Sequence, residues 1–235
     1  EALSQYYEVK NLGFPKIFVG ITIEKYDNQL FLHQESYAKD VVFQYYTTEN
    51  SELQVSKWSS IPMPPLFTHK KMAILQEEFF PYRQVIGALI YLANYTRPDP
   101  SFSIHYLARF QTQHTALHWT LAQRILHYVS QTPKYGILCP KRTDDIFPCE
   151  EASMPGILDA YVDADRAGDF STRKSTTGFV VRLFETHVTW CSQLQKSIAE
   201  HTCEAELIAL NEAAHDVLYL GRLMKETLKI DVFPV

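Results

Sequence analysis

The stretch Tyr161–Asp169, YVDADRAGD, ends an apolar run in the acid Asp163, and about forty residues later Cys203–Leu210, CEAELIAL, opens a helical pattern that carries Glu206. An acid at the end of a strand, facing a glutamate on a helix, is the outline of a divalent-metal site. Held on rigid elements, such a pair binds Mg2+ or Mn2+ against a phosphodiester. The helix lets the sequence choose between its two glutamates. At about 100° per residue, Leu207, Leu210, Ala214, Val217, Leu218, Gly221 and Met224 form one apolar arc. Glu206 falls at the edge of that arc and Glu204 well off it, so Glu206 is expected to point toward the sheet. The plain alternative for a glutamate there is an arginine partner, with Arg173 and Arg182 available.

The acid pair sits in a second half written in strand grammar. Ile157–Asp163, Gly178–Phe184 and His187–Cys191 read as strands joined by turn-rich or very short connections. An antiparallel meander followed by a long helix is expected. The polar, proline-containing stretch KRTDDIFPCEEASMP, residues 141–155, reads as a linker.

The first half reads differently. Ile17–Ile23 and Leu30–Leu32 are short apolar runs with the turn residues Asp27 and Asn28 between them, which predicts a β-hairpin. A helix capped by Ser36 follows, and it fades by Thr48. The cluster Pro62, Pro64 and Pro65 makes residues 49–81 an extended connector. From Tyr82 the spread of Val85, Ile86, Leu89, Ile90 and Leu92 predicts a helix buried on most sides, stopped by Arg97-Pro98-Asp99-Pro100. Further helices are expected over Phe102–Phe110 and from Leu117 to Val129, and Thr132–Gly136 closes the unit. The histidines His69, His105, His114, His118 and His127 lack an accompanying nucleophile with an oriented acid, so solvated or capped imidazoles are expected.

Bulk properties limit the possible functions. A chain of 235 residues with 46% hydrophobic and 13% aromatic content folds as one large or two small domains. Residues 1–150 carry 14 Lys+Arg against 14 Asp+Glu, and the remainder 8 against 13. Neither half has the basic excess of an autonomous nucleic-acid binder, so contact with nucleic acid would use a local groove. Cys139, Cys149, Cys191 and Cys203 show no C-x-x-C pair, which fits a reduced intracellular setting with cytoplasm and nucleus undistinguished. No apolar run approaches a membrane span, and the first residues have no signal-peptide pattern. The chain starts without methionine, which suggests a fragment.

Together, LGFPKIFVGITI, YRQVIGALIYLANYTRPDP, HYLARF, RILHYVSQTPKYG, YVDADRAGD, RKSTTGF, VTWCSQLQKSIA and CEAELIAL resemble, in order and over nearly the whole chain, the polyprotein of copia-type LTR retrotransposons. The resemblance implies an α+β chain: the last part of a reverse transcriptase, with primer-grip hairpin, helical thumb and connection over 1–140, then a truncated ribonuclease H-like domain over 156–235. It implies a template-primer duplex or RNA/DNA hybrid as partner, Mg2+ or Mn2+ as cofactor, and Asp163 and Glu206 as the matching acids. Asp165 and Asp169 are strand-end and loop acids in this reading. The polymerase aspartates would precede Glu1 and two further nuclease aspartates would follow Val235, so catalysis is expected to be incomplete, with Asp231 given no ligand role. The sequence also departs from the family's motifs: Arg166 stands where the family has tryptophan, and His201, Thr202 and Cys203 alter the start of the helix. The alternative is a non-enzymatic scaffold whose open sheet edge is covered by a protein partner or a second copy.

Overall fold

The structure is a computed structural model and describes Glu8, Lys10 and residues 13–46, 61–63, 80–140, 157–169 and 171–229. The expected linker over 141–155, most of the connector over 49–81, and His69, Cys149 and Asp231 lie outside the described residues. Those described form a mixed α and β chain with two antiparallel sheets and five helices.

The first sheet has the order β1-β2-β3-β4, with β1 over Ile17–Phe18, β2 over Ile21–Tyr26, β3 over Gln29–His33 and β4 over Gly136–Pro140. Tyr26 pairs with Gln29, so Asp27 and Asn28 form the two-residue turn expected of them. The turn before β2 is tighter in its demands. Val19 and Gly20 both have positive φ, and a Cβ on Gly20 would lie 2.6 Å from the Tyr91 hydroxyl, which donates to the Val19 carbonyl. β4 is a strand that the sequence reading closes off too early. It pairs with β3 across about a hundred residues, and its first residue must be glycine because a Cβ there would sit 2.2 Å from the Leu32 carbonyl oxygen.

Helices α1 (Glu35–Tyr45), α2 (Tyr82–Tyr95), α3 (Ser101–Ala108) and α4 (Ala116–Gln131) enclose the main core. Val85, Ile86, Leu89 and Leu92 of α2 pack against Ile104, Leu107, Ile125 and Leu126, each full burial contributing about 1.5–3 kcal/mol. α2 was expected to be buried on most sides. It instead buries one stripe, leaving Arg83, Gln84, Gly87, Asn94 and Tyr95 exposed among the described residues.

Arg97, read above as part of a helix stop, is 1% exposed and joins three elements. Its guanidinium forms two bonds to Asp99 (2.9 and 2.7 Å) and donates to the carbonyl and hydroxyl oxygens of Thr132 (2.8 Å each). The rings of Tyr128 and Tyr135 flank it at 5.6 and 5.3 Å. Burial and the hydrogen bond to Asp99 push the Tyr128 hydroxyl up to about 12. The histidines are structural too. His114 and His118 are buried and stack on Tyr82 and Phe110, and His118 also accepts from the Thr115 amide at the start of α4. His118 is thus a capping imidazole as expected, and the His114 ring is buried where a solvated or capped one was expected.

The second sheet has the order β5-β6-β7, with β5 over Leu158–Asp165, β6 over Thr176–Leu183 and β7 over Thr186–Leu194. β5 and β6 are each one residue longer than their periodicity suggests, and β7 is nine residues where five were expected. Phe184 and Glu185 make the β6–β7 turn, both at positive φ. Glu185 is exposed at φ 64°, a conformation that costs most side chains about 1 kcal/mol. Glu185→Gly is therefore expected to raise the midpoint of thermal unfolding by a few degrees; a lowered midpoint would show that the side chain contributes more than its backbone strain costs.

The long helix α5 (Thr202–Leu228) crosses β5 and β6. Its buried face differs from the leucine arc read in the sequence. Ala205, Ala209, Ala213, Gly221 and Met224 are buried, whereas Leu207, Leu210 and Leu218 are 60, 54 and 45% exposed. Small side chains bring the helix backbone close to Val162, Ala164, Phe179 and Val181. The leucines lie along its flank.

Candidate nucleic-acid interface and acid cleft

Alternation along β5 decides where its acids point. Val162 and Ala164 pack against α5, so Asp163, with Tyr161 and Asp165, projects from the opposite face. There the C-terminal end of α2 and the start of α3 lie over the sheet. The Trp190 indole donates to the Ala93 carbonyl at 2.7 Å, and Arg109, just beyond α3, forms an ion pair with buried Asp169. Between these ties is a cavity of about 430 Å³. Phe102, Tyr161 and Trp190 form walls of it, with Asp163 and Asp165 among its polar groups.

Asp163 lines this cavity, to which α5 contributes no residue, and Glu206 is exposed in the second turn of α5. Among the described residues, no group of three or more His, Cys, Asp or Glu side chains is placed to hold a metal ion. Among the described residues Glu206 has no arginine partner either. Arg182 bonds to Asp159 at 2.9 Å and to the Tyr161 hydroxyl at 2.6 Å, with its guanidinium 4.7 Å above the Tyr161 ring. Glu204 has a different role, accepting from the Glu200 amide at 2.7 Å just ahead of the helix.

The remaining acids of the quoted stretch sort by environment. Asp169 is buried and accepts from the Ser171 amide and hydroxyl and the Thr172 amide, which organises the loop. Arg166 donates to the Glu200 carbonyl, tying the end of β5 to the approach of α5. The Cys191 thiol, beneath α5 and near Glu212 and Asp216, is pushed up to about 11, chiefly by burial. It is an inert neutral side chain at ordinary pH. Burial likewise holds His105, beside the cleft on α3, below its usual value. The sequence reading missed Phe102 and Trp190 as cleft residues; VTWCSQ and SFSIHY carry the aromatic signal, but only the docking of α3 on the sheet pairs them.

The chain is 32% identical over 233 residues to a retrovirus-related Pol polyprotein from transposon TNT 1-94 of Nicotiana tabacum, covering 95% of this chain and 16% of that one. It is 29% identical over 230 residues to a retrovirus-related Pol polyprotein from transposon RE2 of Arabidopsis thaliana, covering 96% of this chain and 14% of the relative. It is also 33% identical over 140 residues to secreted RxLR effector protein 161 of Plasmopara viticola, covering 60% of this chain and 91% of that one. No protein-family model and no solved structure matches it. The chain spans about one sixth of the two Pol polyproteins it matches. Over about 95% of its length, the chain is a relative of the retrovirus-related Pol polyproteins of plant transposons.

Proposed function

We propose that this chain is the part of a retrotransposon Pol polyprotein that spans the end of the reverse transcriptase and the start of a ribonuclease H-like domain, and that it binds RNA/DNA hybrids or a template-primer duplex. The observation that carries this reading is similarity to transposon Pol polyproteins over 95% of the chain. The two-part organisation, residues 1–140 and 156–235 around a linker, belongs to the same proposal. The described residues hold no group of three or more candidate ligands, so they do not form a closed metal centre by themselves. Hybrid binding, not hydrolysis, is the activity this segment supports best.

The test is a labelled RNA/DNA hybrid incubated with the purified chain in Mg2+ and in Mn2+, with Asp163→Asn alongside. The expected result is salt-sensitive binding, with cutting no faster than that of the variant. Cutting that depends on Asp163 would restore a nuclease role to the acid. Absence of binding at low salt would remove the nucleic-acid reading altogether.

A second reading has its own support. A non-enzymatic interaction protein would use the β5 edge, which pairs only with β6 among the described residues, and the exposed Leu207, Leu210 and Leu218 beside it. The RxLR effector shows that a similar sequence makes up most of a much shorter protein. Hybrid-independent capture of a protein by the chain, lost in Leu207→Gln/Leu210→Gln, would favour this reading.

A further inference from the structure

The cleft between α3 and the outer face of the second sheet has a character that phosphate binding does not explain. Its walls include three aromatic rings, those of Phe102, Tyr161 and Trp190, with Phe102 and Tyr161 47 and 59% exposed. No lysine, arginine or histidine is among the residues lining it. Of its carboxylates, Asp99 is committed to Arg97 and Tyr128, but Asp163 and Asp165 make no hydrogen bond or ion pair with any described residue. Without a bridging cation, such a cavity repels an anionic phosphodiester. A cation with apolar substituents fits it on both counts, because aromatic faces attract positive charge and the free carboxylates complement it. One of these rings already makes this interaction, since Tyr161 lies under the Arg182 guanidinium at 4.7 Å.

We propose that this cavity binds an organic cation, an ammonium or guanidinium group, seated against the rings of Phe102 and Trp190 and facing Asp163 and Asp165. The volume of about 430 Å³ holds an alkylammonium or an arginine side chain with room to spare. The cation has two natural sources: a free polyamine, or a basic side chain presented by a protein. The proposal is independent of hybrid binding, and each can fail without the other.

The experiment follows tryptophan emission of the purified chain during titration with tetramethylammonium, spermidine or Nα-acetyl-arginine amide, each against NaCl of matched ionic strength. Trp190→Phe assigns the signal among the three tryptophans. The expected result is saturable quenching by organic cations, weakened about tenfold in Asp163→Asn/Asp165→Asn and in Phe102→Ala. Both variants alter exposed side chains, and unchanged far-ultraviolet circular dichroism confirms their fold. Tighter binding of spermidine identifies a free polyamine, and tighter binding of the arginine amide identifies a protein side chain; either upholds the site. A response equal to that of NaCl, equal affinity in the double aspartate variant, or saturation by Mg2+ in place of the organic cations would overturn it.

Discussion

Arg97→Ala is expected to destabilise the helical unit by about 3–5 kcal/mol, a large share of the total stability of an ordinary domain. The residue is 1% exposed and donates four hydrogen bonds, two to Asp99 and two to Thr132. Truncation removes the cation, leaves the Asp99 carboxylate without its neutralising partner, and opens a space between the Tyr128 and Tyr135 rings. It also unties the end of α2 from the end of α4. Thermal unfolding should show a midpoint lowered by roughly 10 °C. Arg97→Lys is expected to recover only part of the loss, because an ammonium cannot reproduce the two-pronged contact with Asp99 while reaching both oxygens of Thr132. A loss below about 1 kcal/mol in Arg97→Ala would mean that solvent reaches this arginine and that the helix ends are held by packing alone.

Arg97 also illustrates what the sequence could and could not convey. Arg97-Pro98-Asp99-Pro100 is legible as a helix stop because proline cannot continue a helix, but Thr132 is 35 residues away and nothing local marks it as a partner. The hairpin at Asp27 and Asn28 was legible for the opposite reason, since all its information is local. β4 was not, because five residues ending in proline have little strand signature without the distant β3 they pair with. In the candidate site, the strand carrying Asp163 and the helix carrying Glu206 were both legible from periodicity. Which face of the strand Asp163 occupies was not. That depends on which side α5 covers, and the packing of Val162 and Ala164 under the helix decides it.

The rotation of α5 gives the sharpest contrast between sequence pattern and packing. A hydrophobic arc weights leucine heavily, and so places Leu207, Leu210 and Leu218 inward. A helix lying close on a sheet instead selects for small size at the contact, which is what Ala205, Ala209 and Ala213 provide at four-residue spacing. Ala209→Leu should therefore cost about 3 kcal/mol. Its added carbons have no space against Ala164 and Ala199, and α5 would have to lift from the sheet. Leu210→Gln, one residue further on but 54% exposed, should change stability by no more than about 0.5 kcal/mol. Urea unfolding of the two variants decides the matter. If Leu210→Gln is the damaging change and Ala209→Leu is tolerated, the helix is turned as its leucines suggest. Glu206 would then face the sheet, and the case for a metal held between it and Asp163 would be stronger. The expected order keeps Glu206 in solvent and Asp163 in the aromatic cleft.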